Sequence, residues 1–183
     1  TPIRLTKEEF SELTKSAISL QDANKQGIIN EERLKLIEQS LARSDIPKGV
    51  KITAKYVPTD LGAPAVVRKE SSTSYLIYIS KPAFQNEANF QHLLYVDLPH
   101  ELDHIALGYV GEITIKQELE VVAKTLKRLI IQYNEGKFDN NLVKSKVRAD
   151  ILALTGKESE EVTSPIKVVD ITEEYKKIIA KNM

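Results

Sequence analysis

A chain of 183 residues is long enough for one domain with a proper core and too short for two comfortable ones. With 26 Lys+Arg against 26 Asp+Glu and no massed block of either sign, nucleic acid is not an expected partner, and the absence of cysteine excludes disulfides and thiolate metal ligands. No apolar run approaches the ~20 residues of a membrane span, and a start at Thr1 leaves export after removal of a leader as one expectation, with the compartment open.

Thr6-Lys7-Glu8-Glu9 forms a capping box, with Leu5 and Phe10 placed as a staple, so a helix is expected with Phe10, Leu13, Ala17 and Leu20 on one face. After Gly27, Asn30 can cap a second helix bearing Leu34, Ile37 and Leu41. Residues 1–46 thus read as a helical N-terminal portion, and residues 47–183 as the remaining core of the same domain. Period-two alternation begins after Ile46-Pro47 and predicts three strands: Gly49 to Val57, Ala65 to Arg68 and Ser74 to Ser80. Phe90 to Val96 reads as helical. Pro99 is tolerated if it lies in the first turn of a new helix and kinks a continuous one.

That helix carries the chemistry. Leu98-Pro99-His100-Glu101-Leu102-Asp103-His104 contains His-Glu-x-x-His, with two of the chain's three histidines at i and i+4 on one helical face. Such a pair clamps a divalent metal. Zinc suits it, since two imidazoles and one carboxylate leave a fourth tetrahedral position open to water, and Glu101 stands next to the first ligand as a general base. The competing reading is a surface helix that carries these residues by chance.

Gly108 and Gly111 end the metal helix, and Thr114-Ile115-Lys116-Gln117 is a second capping box. The long helix that follows is expected to turn Leu119, Val122, Ala123, Leu126, Ile130 and Tyr133 to the core and to stop at Gly136. Further helices are expected from Asp139 or Asn140 to Gly156 and from Asp170 through Ile179, joined by a charged connector from Glu158 to Pro165. A third metal ligand must come from beyond the motif. Glu118 and Glu120 both lie one to two turns into the next helix, and distance alone does not choose between them. The metzincin pattern is excluded because Leu107 and Val110 stand where its glycine and third histidine would be.

The His-Glu-x-x-His helix followed by a glutamate helix resembles the gluzincins, the thermolysin-like and ImmA/IrrE-like zinc metallopeptidases. Glu120-Val121-Val122-Ala123 resembles their second motif, Glu-x-x-Ala, which implies Glu120 as third ligand with Glu118 as the alternative. Lys124 replaces the acid that commonly follows there, leaving support of a ligand histidine to another group, with Asp97 and Asp103 as candidates. The resemblance covers about Tyr75 to Lys124. It implies an α+β, zincin-like fold: a small mixed sheet packed on the metal helix and the glutamate helix, with extra helices at both ends.

The expected function is zinc-dependent hydrolysis of peptide bonds in a peptide or protein substrate; the alternative is a catalytically inactive zincin scaffold serving binding or regulation. Peptide deformylase shares the first motif but uses a cysteine ligand that this chain lacks. His92 and Tyr109 are candidate donors to a tetrahedral transition state, although both residue types also serve as structural packing. Asp103 falls outside the ligands' face, where a solvated and a supporting role are equally open. Substrate is expected along the sheet edge, with Ser74 to Ser80 as the edge strand.

Overall fold

A computed structural model describes residues 6–137. The chain divides into two compact units, Thr1–Gly111 and Glu112–Met183. The helices expected beyond Lys137, and the Leu5 half of the staple, lie outside the described residues.

In the first unit, Thr6 caps α1 (Lys7–Thr14) by accepting from the Glu9 amide. This helix is shorter than its apolar spacing suggests. The Thr14 hydroxyl bonds back to the Phe10 carbonyl at 2.8 Å, and the chain then extends into β1 (Ile18–Ser19). Ser19 next caps α2 (Leu20–Lys25), and Asn30 caps α3 (Glu31–Leu41) through the Arg33 amide.

The three expected strands form as β2 (Lys51–Val57), β3 (Ala65–Ser71) and β4 (Ser74–Ser80). The sheet order is β1-β2-β4-β3, with β2 parallel to β4 and the other pairs antiparallel. It is a small mixed sheet in an α+β unit. The expected edge strand is corrected here: β4 is central and β3 is an edge. Tyr75 to Ile79 is a continuous buried run, as a strand with neighbours on both sides requires, whereas Arg68, Lys69 and Glu70 are exposed and blunt an open edge.

Both faces of the sheet are covered. On one, Val57, Leu61, Val66, Leu76 and Tyr78 pack with Phe10, Leu13 and Ala17 around α1. The Phe10 and Tyr78 rings meet edge to face at 5.5 Å. On the other, Ala54, Tyr56, Ile77 and Ile79 join Leu20, Ile37, Phe90, Leu98 and Leu102 in the larger core. Each fully buried leucine or isoleucine there contributes about 1.5–3 kcal/mol.

A short 3₁₀ turn, Lys81–Phe84, leads from β4 into α4 (Glu87–His92), a π-helical turn (Leu93–Asp97) and α5 (Leu98–Leu107). Pro99 explains the widened turn. It has no N–H to donate, and its ring would clash with the carbonyl four residues back in a regular α-helix. The π turn lets the chain run on, with the Leu98 amide bonding the Leu93 carbonyl.

The second unit is described through α6 (Ile115–Asn134), which opens with the complete Thr114/Gln117 capping box. Its buried residues are Val121, Thr125, Leu126, Leu129 and Ile130. Thr125 joins them because its hydroxyl bonds the Val121 carbonyl at 3.1 Å, leaving its methyl to pack.

Candidate metal centre

His100, Glu101 and His104 project from α5, which Gly108 ends in the left-handed conformation at φ 76°. Nine-tenths of His104 is buried, at 8% exposure, and the His100 and His104 rings lie perpendicular with centroids 4.8 Å apart. That adjacency follows from the i, i+4 spacing.

The Gly108 turn brings the chain back on itself. The Tyr109 amide donates to the His104 carbonyl at 2.9 Å, and His104 Nδ1 lies 2.8 Å from the Tyr109 carbonyl oxygen. A carbonyl can only accept, so this contact places the imidazole proton on Nδ1 and leaves the Nε2 lone pair for a metal. Tyr109 therefore enters the site through its backbone, a role that its phenol had obscured in the sequence.

Asp97 and Asp103 both have partners within the first unit. Asp97 Oδ2, at the end of the π-helical turn, lies 2.6 Å from Nδ1 of His92, the last residue of α4. Asp103 is fully buried and forms an ion pair with Arg43, Nη2 to Oδ1 2.7 Å. Arg43 follows α3, where it also donates to the Pro99 carbonyl at 3.3 Å and, through Nε, to Asp45 at 2.8 Å. Burial works to lower the Arg43 pKa, but the hydrogen bonds and charges of Asp45 and Asp103 more than offset it, holding the guanidinium above its ordinary value. The pair ties the segment after α3 to α5 between its two histidines. No feature of the sequence links Arg43 to Asp103, 60 residues apart.

Glu101 is half-buried, and its Oε2 accepts from the Val67 amide of β3 at 3.1 Å. The edge strand thus reaches the residue expected to act as base.

His100 and His104, one turn apart on α5, could hold a metal ion. Two imidazoles, one already oriented through Nδ1, suit zinc, which would take a carboxylate as a third ligand. Glu118 and Glu120, the two candidates for a third ligand, lie on different faces of α6 in the second unit. At 3.6 residues per turn, Glu118 lies within about 30° of the centre of the stripe made by Val121, Thr125, Leu126, Leu129 and Ile130, and Glu120 lies roughly opposite.

Among the described residues, no helix is long and apolar enough to cross a membrane. No protein-family model, curated protein or solved structure matches the chain.

Proposed function

We propose that the protein is a zinc-dependent metallopeptidase of zincin type, with His100, His104 and Glu118 holding the metal and Glu101 as general base. The pairing of His100 and His104 on one face of α5, with Glu101 beside the first and the His104 ring oriented through Nδ1, carries the reading. The zincin-like assignment is supported by the antiparallel edge strand β3, whose Val67 amide meets Glu101 beside the first metal ligand.

When bound, zinc would supply Lewis acidity, lowering the pKa of a water and polarising a carbonyl. The chain's own groups do the rest. The Tyr109 carbonyl keeps the His104 ring in the tautomer and orientation that a ligand needs. Glu101 takes the proton of the attacking water and returns it to the leaving amine. The Val67 amide donates to Oε2 of Glu101 and so helps to orient the carboxylate. An extended substrate would lie along β3, where backbone groups at a sheet edge offer main-chain hydrogen bonds.

Incubation of the purified protein, with and without added zinc, with unfolded protein substrates tests this reading by mass spectrometry of the products. New termini that vanish with a chelator and return with zinc are expected. Zinc binding without any cleavage would assign the chain to a metal-holding scaffold instead.

A further inference from the structure

A cavity of about 470 Å³ lies along the outer edge of β3, between the start of α1 and the turn after the metal helix. Phe10, Val66, Val67 and Val110 line it with apolar surface, and Lys7, Arg68 and Lys69 are exposed along it. No acidic side chain pairs with any of these three cations among the described residues, although Asp and Glu equal Lys and Arg in the chain.

The strand register fixes what the edge offers. The Ser80 amide bonds the Pro64 carbonyl, and backbone direction alternates along a strand, so Val66 and Arg68 turn their amides and carbonyls towards β4. Ala65, Val67 and Lys69 turn theirs outward. The Val67 amide reaching Glu101 agrees with that alternation. An incoming strand would therefore meet backbone groups beside Glu101, apolar surface along the cavity and positive charge at its rim.

We infer that this groove selects an extended peptide that carries both aliphatic and acidic side chains, and that Lys7, Arg68 and Lys69 are the residues that set this preference. The inference deepens the peptidase reading by naming its substrate class, and it rests on that reading for turnover but not for binding. Strand addition supplies sequence-independent hydrogen bonds, and the side chains supply the choice. Because the three cations are exposed, each contributes modestly, and together they give about tenfold discrimination that weakens with salt.

Fluorescence anisotropy with a labelled peptide alternating leucine and glutamate tests it, against the same peptide with glutamine or lysine in place of glutamate. The full chain is used as purified and again after chelation, and peptide integrity is checked by mass spectrometry. The glutamate peptide should bind about tenfold more tightly than the glutamine peptide and the lysine peptide least, with or without metal. Combined Lys7→Glu, Arg68→Glu and Lys69→Glu should invert the order; each single reversal should weaken the glutamate peptide about threefold in a variant with unchanged thermal unfolding. Equal affinity for the three peptides, or reversals without effect, would overturn the inference. So would concentration-dependent self-association that blocks the peptide, since a second copy would then fill the groove. Charge-selective binding without cleavage would retain the inference and remove the peptidase reading, whereas cleavage indifferent to charge would do the opposite.

Discussion

Arg43 Nη2 stands 2.7 Å from Oδ1 of Asp103, a carboxylate with no exposed surface in the middle of α5. Removing one partner of a buried ion pair costs more than the pair contributes, because the remaining charge keeps its desolvation penalty. Arg43→Ala should lower the unfolding free energy by about 3 kcal/mol, read from denaturant titration. Arg43→Met combined with Asp103→Leu should recover most of that loss. A double variant as unstable as the single one would show that the pair's geometry, rather than its uncompensated charge, matters.

Gly108 sets the path by which the Tyr109 carbonyl returns to His104. Gly108→Ala adds no steric contact, since nothing lies within 4 Å of the new Cβ, but it forces a side chain into the left-handed region at a cost of about 1–2 kcal/mol. Relief of that strain by movement of residue 109 would loosen the imidazole, and zinc affinity should fall about tenfold or more in a competition titration. Lower stability with unchanged zinc affinity would show that the carbonyl does not orient the ligand.

Glu101→Gln keeps the shape of the side chain and can still accept the Val67 amide, but it cannot take a proton from water. Zinc should remain bound while peptide hydrolysis falls about a hundredfold or more. Hydrolysis at the original rate would place the base elsewhere.

The choice of third ligand has a direct test. Glu118→Ala should weaken zinc binding sharply, and Glu120→Ala should change it little, because Glu118, and not Glu120, lies on the buried stripe of α6. The reverse order in a metal titration would restore the Glu-x-x-Ala assignment.

Local chemistry made much of this legible in the sequence. Thr6, Asn30 and Thr114 act as the caps their spacing implied, and alternation located β2, β3 and β4. His100 and His104 share a face because a helix repeats every 3.6 residues. Long-range partners were not legible. β1 owes its existence to pairing with Tyr56 and Lys55, and a pair of residues inside an expected helix gives no local sign of that. The order of β3 and β4 depends on a chain reversal that alternation does not encode, although the charged end of β3 was a usable sign of an edge. The buried face of α6 was misread because Thr125 counts as polar until its hydroxyl is satisfied within the helix. Arg43 was missed for the same reason as β1: its partner Asp103 is distant in sequence.

Metal content of the purified protein, measured by inductively coupled plasma mass spectrometry alongside His100→Ala and His104→Ala, tests the central claim most directly. One zinc per chain is expected after reconstitution, lost in both variants together with the thermal stability that a metal bound only by the folded state confers. Failure of the parent chain to bind zinc, or unchanged stoichiometry in either variant, would contradict the account.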